Sequence, residues 1–233
     1  MSTAALNLNS NRALRFFDAT IGKKAVMAVT GVILFGFVVG HLVGNLQIYA
    51  GADKVNQYAK FLHSMPGPLW GARIALLVSV VLHVWASFEL WLLKREARPV
   101  AYKKRANLSS SYASRTMLWS GPIIAAFVIY HLLHFTFGTV LPGGLARLPD
   151  GDVDVYRNLI TGFSQPLVSL FYVVAVTLLG VHLYHGLWSM FQSLGVSHPK
   201  YTPRFKQFAA AASVLITVGN ISIPVSVLAG IVR

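Results

Sequence analysis

The chain has 233 residues, of which 55% are hydrophobic and only 12% are charged, whereas a soluble domain usually carries about a quarter charged residues. This composition excludes an ordinary soluble domain, and the absence of cysteine excludes disulfides, iron–sulfur clusters and thiolate-bound metals. The net charge of +13 would indicate nucleic acid binding in a soluble protein. Because the basic residues here lie outside the apolar segments, we expect no nucleic acid partner.

Five apolar segments are long enough to cross a membrane as helices, which requires about 20 residues. In chain order they cover roughly residues 25–49, 69–93, 117–140, 166–194 and 207–232. The intervening segments are rich in Gly, Pro, Asp or basic residues, and no separate soluble domain is visible. The sequence therefore predicts one all-α domain over residues 1–233, a polytopic membrane helical bundle of five transmembrane helices.

The Lys and Arg residues are distributed unequally between the two sides of this predicted bundle. Fourteen of the 20 cations fall on one side, at the N-terminus and in the loops 94–115 and 200–206. Because cytoplasmic loops are enriched in Lys and Arg, we predict a cytoplasmic N-terminus and an outer C-terminus. The acidic stretch 150–154 then lies on the outer side.

Six of the eight histidines lie inside predicted spans, where ionisable residues are costly and usually mark a function. One isolated histidine would more often be a packing residue that hydrogen-bonds between helices. Four helices that each contribute a histidine, with only Glu89 as an acid well inside a span, favour a cofactor site instead. The six are His41, His83, His131, His134, His182 and His185.

Depth along the helices sorts these histidines into two layers. At a rise of 1.5 Å per residue, His41 and His131 each lie roughly 12 Å from the outer end of their helices. His83 and His182 lie deeper, roughly 20 Å and 24 Å from the outer ends of theirs. Two layers of opposed histidines match bis-histidine haem ligation in a helical bundle, whereas zinc needs three or four ligands at one depth.

Spacing alone leaves two choices open, because residues three apart share a helix face. His131 or His134 could serve in the third span, and His182 or His185 in the fourth. Glycines at positions 36, 40 and 44 beside His41, and Gly186 after His182, could clear space for a porphyrin. The same glycines are equally compatible with an ordinary small-residue packing motif.

Three stretches give the chain a recognisable pattern over nearly its whole length. They are TGVILFGFVVGHLVGN around His41, SGPIIAAFVIYHLLHF around His131 and HLYHGLWSMFQSLG from His182, with His83 ahead of the basic loop. In this order and spacing they resemble the di-haem cytochrome b membrane anchor of succinate:quinone oxidoreductases, the succinate dehydrogenase and fumarate reductase complexes.

The resemblance implies two haem b groups with four axial ligands. His41 and His131 would ligate the outer haem iron, and His83 and His182 the inner one. It also favours His131 over His134, and His182 over His185, by their intervals to Gly121 and Gly186. His134 and His185 then become candidates for positions near the haem propionates, or plain packing residues.

The same resemblance implies partners and a location. An iron–sulfur subunit and a flavoprotein subunit would dock on the cytoplasmic side, against the loops 94–115 and 200–206, in a bacterial inner membrane. Electrons from succinate would pass through both haems to menaquinone or ubiquinone. His63 and Arg73 are weak candidates for the quinone pocket at the outer side. The stretch 177–181 lacks the acid that some family members use for coupled proton movement.

Two other functions remain open on the sequence. The chain could be the haem b anchor of another quinone-linked dehydrogenase, or a small transporter that moves protons through intramembrane histidines. The chain carries no flavin, nucleotide or iron–sulfur motif, so we expect it to be unable to oxidise succinate alone. An absorption spectrum separates a cytochrome from a transporter, since only the cytochrome has haem bands.

Overall fold

The computed structural model describes residues 17–97 and 111–233. This part of the chain contains seven α-helices and no β-strand. The helices are α1 (Thr20–Asn45), α2 (Ala52–His63), α3 (Pro66–Glu96), α4 (Tyr112–His131), α5 (Val155–Phe163), α6 (Pro166–Ser193) and α7 (Thr202–Leu228). A 3₁₀ turn (Leu46–Ala50) extends α1, and a π turn (Leu132–Thr136) extends α4.

Five of these helices are long and apolar enough to cross a membrane: α1, α3, α4, α6 and α7. The predicted fold class is therefore confirmed, and the chain is a multi-pass membrane protein. Three spans begin about five residues earlier than predicted, at Thr20, Tyr112 and Thr202. The second begins at Pro66, inside the predicted break, because proline is tolerated in the first turn of a helix.

Two short helices on one side of the bundle were not predicted. Both α2 and α5 are amphipathic and too short to appear in a search for apolar runs of about 20 residues. We call their side of the bundle the outer side and the opposite side, where α1 begins, the inner side. The cytoplasmic N-terminus itself remains a prediction.

Side chains of α2 bind the loop that precedes α5, and this joins the outer helices into a cap. Asn56 donates from Nδ2 to Asp154 Oδ1 at 3.0 Å and accepts from the Tyr156 backbone N–H at 3.1 Å. Lys60 forms ion pairs with Asp150 and Asp152 at 2.5 Å and 3.2 Å. The acidic stretch 150–154 that was predicted on the outer side therefore binds the loop before α5 to α2, and we call this set of contacts the clasp.

Helix α6 occupies the centre of the bundle, packed against α1, α4 and α7. Helix α1 packs in turn against α3 and α7. Within the described residues, neither α1 with α4 nor α3 with α6 forms an extended packed pair. Across each of these two gaps, a histidine from one helix approaches a histidine from the other.

Cation–aromatic pairs mark both ends of α3. The Arg73 guanidinium lies 5.1 Å from the Trp70 ring and that of Arg95 lies 4.8 Å from Trp91. Trp70 and Trp91 are 21 residues apart, which corresponds to about 31 Å of helix. This matches the roughly 30 Å hydrocarbon thickness of a bilayer, and Trp is enriched at both membrane interfaces.

Of the basic residues used for the orientation, those that the structure describes lie at the inner ends of the spans. Most of the loop 94–115 lies outside the described residues, which end at 97 and resume at 111. In the other loop, Lys206 Nζ lies 4.6 Å from the Trp188 ring. Lys23 is not a surface cation as the sequence suggests: it is 7% exposed and pairs with Glu89 at 2.6 Å.

Candidate functional site: two histidine pairs across the helix gaps

The outer pair joins α1 to α4. The rings of His41 and His131 lie 5.7 Å apart between centroids and are nearly perpendicular, at 88°. Phe37 stacks on His41 at 5.3 Å. In the described part of the chain, α1 and α4 form no extended packed pair, and the two imidazoles approach each other across the gap between these helices.

The inner pair joins α3 to α6. The rings of His83 and His182 lie 6.4 Å apart between centroids, at an interplanar angle of 55°. Both imidazoles are half-buried. The structure thus brings the four predicted ligands together as His41 with His131 and His83 with His182.

The two layers have the same separation on three different helices. On α1, Thr30 contacts His83 of the inner layer and lies 11 residues before His41 of the outer layer. On α4, Ser120 contacts His182 of the inner layer and lies 11 residues before His131 of the outer layer. On α6, Tyr172 contacts His131 ten residues before His182. At the helical rise these intervals correspond to about 15–16 Å, so the layers are parallel.

A hydroxyl contacts Nδ1 of each inner histidine. Thr30 Oγ1 lies 3.1 Å from His83 Nδ1 and donates its own hydrogen to the Val26 carbonyl at 2.8 Å. Since a hydroxyl has one hydrogen, the Thr30 oxygen accepts from the His83 Nδ1–H. This tautomer leaves the lone pair of Nε2 available for a metal, as hydrogen-bonded ligand histidines usually do.

Ser120 holds His182 in the same way, although less tightly. Its Oγ lies 3.3 Å from His182 Nδ1, and its hydrogen bond to the Met117 carbonyl is 3.5 Å long. Each inner histidine therefore has its Nδ1 turned to a hydroxyl that is bonded back to its own helix.

In the outer layer, a single tyrosine hydroxyl contacts two histidines. Tyr172 OH lies 3.3 Å from His131 Nδ1 and 3.0 Å from His134 Nδ1. His134 is 0% exposed, and its Nε2 has no hydrogen-bond partner among the described residues. It lies in the π turn that follows α4, a distortion that is frequent at functional sites.

The glycines near the histidines divide into two groups. A Cβ built at Gly44 would lie 2.7 Å from the Tyr58 ring, so this glycine serves helix packing. A Cβ at Gly36, Gly40, Gly121 or Gly186 would meet no other part of the described protein within 4 Å. Within the described protein, the small-residue packing interpretation therefore holds for Gly44 and not for Gly36, Gly40 or Gly186.

The spacing of the imidazoles fits a shared metal. Two imidazoles that bind one metal from opposite sides, at about 2.0–2.1 Å each, have ring centroids roughly 6.3 Å apart. The inner pair at 6.4 Å matches this value, and the outer pair at 5.7 Å is about half an ångström closer. With the hydroxyl partners of Nδ1 and the glycines that leave open space, the inner pair fits an axially ligated haem, and the outer pair comes within about half an ångström of the spacing that one requires.

The remaining predicted residues lie elsewhere. His131, not His134, is the histidine beside His41, while His185 on α6 has a buried Nδ1 with no hydrogen-bond partner among the residues that the structure describes. His63 lines an outer pocket of about 270 Å³ with Arg147 and bonds through Nδ1 to the Ala59 carbonyl. Arg73 is on α3 against Trp70 and does not line this pocket.

Sequence reasoning missed the hydroxyl side chains that contact the paired histidines. Thr30 stands out in the sequence only as part of a motif, while Ser120 and Tyr172 were not predicted as partners of histidine. A usable signal did exist: each hydroxyl lies ten or eleven residues before the histidine of the other layer on the same helix. Among the described residues, no three His, Asp or Glu side chains converge as a metal cluster, so the site consists of pairs.

Comparison of the chain with protein-family models, with curated proteins and with solved structures gives no significant match.

Proposed function

We propose that this chain is the haem-carrying membrane anchor subunit of a succinate:quinone oxidoreductase in a bacterial inner membrane. It would pass electrons from an iron–sulfur subunit through two b haems to a membrane quinone. One observation carries the proposal: two histidine pairs, one per layer, each reach across a gap between helices that form no extended packed pair within the described residues.

The chain's own residues would hold and tune the two cofactors. His41 and His131 would hold the outer haem, and His83 and His182 the inner one. Thr30 and Ser120 orient the inner imidazoles through Nδ1, and hydrogen bonds of this kind raise ligand basicity. The haem supplies reversible one-electron redox chemistry when bound, and the surrounding apolar helices supply a low-dielectric setting.

The two sides of the bundle support different roles. The inner side carries Lys94, Lys200, Arg204 and Lys206, which suit docking of the iron–sulfur and flavoprotein subunits. The outer side carries His63 and Arg73 as candidates for contact with menaquinone or ubiquinone. Because 177–181 has no acidic residue, we propose no transmembrane proton pathway.

The direct test is a dithionite-reduced minus oxidised spectrum of the purified chain, with the haem b content determined as the pyridine haemochrome. We expect about two haems per chain. A folded preparation without haem bands would overturn the proposal and favour proton transport through the histidines.

A second test separates the possible partner complexes. In membranes that contain the whole complex, succinate should reduce the b haems, and a flavoprotein and an iron–sulfur protein should copurify with the chain. Reduction by formate or hydrogen, with no response to succinate, would instead assign the chain to another quinone-linked dehydrogenase.

A further inference from the structure

His134 is a buried polar residue that the proposed haem ligation does not use. It is 0% exposed and packs against Phe135 at 4.0 Å between ring centroids. Its Nε2 has no partner among the described residues, and a Cβ at Gly162 would come within 2.9 Å of that atom. Leaving a buried polar group unpaired is costly, so its retention needs a reason.

Tyr172 connects His134 to the outer pair. Its hydroxyl lies 3.0 Å from His134 Nδ1 and 3.3 Å from His131 Nδ1, and no further hydrogen-bond partner lies near it in the described protein. Tyr172 is itself only 5% exposed. The single phenolic hydrogen therefore has two available acceptors, one on each histidine.

The direction of these hydrogen bonds follows from the ligand role of His131. A neutral imidazole carries one hydrogen, so a metal on Nε2 requires that hydrogen on Nδ1. The Tyr172 oxygen then accepts from His131, and the phenolic hydrogen must go to His134 Nδ1. His134 is consequently the acceptor that frees the Tyr172 oxygen to receive the His131 N–H.

We infer that His134, acting through Tyr172, is a positioning residue that fixes the Nδ1–H tautomer of His131 and thereby tunes the outer haem. The inference rests on the proposed function. Without an acceptor at position 134, the phenolic hydrogen would compete for His131 Nδ1 and disfavour metal binding through Nε2. Loss of such outer partners typically weakens metal binding about 10- to 100-fold.

The experiment compares three variants of the haem-loaded protein by redox titration and by electron paramagnetic resonance of the oxidised haems. His134→Leu removes the acceptor, His134→Asn keeps an acceptor oxygen close to the position of Nδ1, and Tyr172→Phe removes the connecting hydroxyl. The outer haem is identified as the one that His41→Ala loses. His185→Leu is the matched control, because it also lies three residues after a ligand but its buried Nδ1 contacts no hydroxyl in the described protein.

We expect Tyr172→Phe and His134→Leu to raise the midpoint potential of the outer haem, since a less basic ligand stabilises oxidised iron less. The outer haem should also bind about 10- to 100-fold more weakly, while the inner haem is unchanged. His134→Asn should restore the wild-type potential and spectrum, and His185→Leu should leave the outer haem unaltered.

Three results would overturn the inference. Unchanged outer-haem potential and spectrum in His134→Leu, in a wild type with two haems, would refute it and leave the proposed function standing. Equal effects of His134→Leu and His185→Leu, or no rescue by His134→Asn, would assign His134 to packing alone. A wild type without haem would refute both proposals together.

Discussion

Each of the two histidine layers consists of two facing imidazoles, but the layers hold them differently. In the inner layer, Thr30 and Ser120 each contact one imidazole and bond back to a carbonyl of their own helix. In the outer layer, Tyr172 serves His131 and depends on a second buried histidine, His134. Each inner contact joins two helices through a single hydroxyl, α1 to α3 and α4 to α6, whereas the outer one links α4, its π turn and α6 through one hydroxyl and two histidines.

The surroundings reinforce this contrast. Aromatic rings enclose His131 on several sides, including Phe127 at 6.0 Å and Phe135 at 5.8 Å between centroids. Helix α5 closes over this cluster, where Gly162 lies against His134. We expect the outer layer to respond to changes in packing, and the inner layer to respond mainly to the loss of individual hydroxyls.

The largest effect should come from Gly162→Ala. Its Cβ would lie 2.9 Å from His134 and Phe135 side-chain atoms, and overpacking of this kind costs about 1–3 kcal/mol. That exceeds the gain of up to about 1 kcal/mol from replacing a helical glycine. Thermal unfolding in detergent should show a lower Tm, with the outer haem released first.

Gly71→Ala is the control for this substitution. A Cβ at Gly71 meets nothing within 4 Å in the described protein, so stability and both haems should be retained. An unchanged Tm in Gly162→Ala would show that α5 does not constrain the outer layer.

A medium effect, restricted to the inner layer, should follow from Thr30→Val. The substitution keeps the side-chain shape but removes the hydroxyl that accepts from the His83 Nδ1–H, and such losses weaken metal binding about 10- to 100-fold. Equilibrium haem retention and the inner-haem potential measure the effect. Thr30→Ser keeps the hydroxyl and should behave like the wild type; equal behaviour of Val and Ser would contradict the role given to Thr30.

Ser120→Ala should have a smaller effect on the same layer. Its distances of 3.3 Å to His182 and 3.5 Å to the Met117 carbonyl are longer than those of Thr30, so the bond is weaker. We expect a loss in haem affinity of about tenfold or less. A loss larger than that of Thr30→Val would reverse the order that the distances predict.

The smallest effect concerns the outer cap and its pH dependence. The hydrogen bond from Lys60 lowers the pKa of the Asp150 carboxyl below its ordinary 3.8. In turn, the carboxylates of Asp150 and Asp152 raise the pKa of Lys60 above its ordinary 10.5. The contribution of Asp150 to the stability of the outer cap is present above pH 3.8 and is lost as pH falls through the lowered pKa of Asp150. The contribution of Lys60 to the same stability is present below pH 10.5 and is lost as pH rises through the raised pKa of Lys60.

Protection of the α2 and 141–154 amides from hydrogen exchange, measured as the intrinsic rate divided by the observed rate at each pH, should therefore be highest between these limits and lower outside them. Because the pair is exposed to solvent, the change should be modest. In Lys60→Met the ion pair is absent at every pH, so its exchange should lack this dependence. An identical pH profile in Lys60→Met and the wild type would show that the clasp does not stabilise the cap.

The sequence was sufficient to predict the five spans, because uninterrupted runs of about 20 apolar residues are typical of transmembrane helices and too long for most buried core helices. It was also sufficient to sort His41, His83, His131 and His182 by depth, because helical rise is constant. It could not reveal α2 and α5, whose amphipathic segments are short and interrupted by polar residues. It could not reveal Tyr172 either, because the contact with His134 depends on how α6 is rotated against the π turn.

The most direct test of the two-layer site assigns each haem to one layer by redox titration of His41→Ala, His83→Ala, His131→Ala and His182→Ala. We predict two b haems in the wild type. His41→Ala and His131→Ala should lose the same haem, and His83→Ala and His182→Ala should lose the other. Loss of the same haem in His41→Ala and His83→Ala, or two haems retained in any of the four folded variants, would contradict the two-layer assignment.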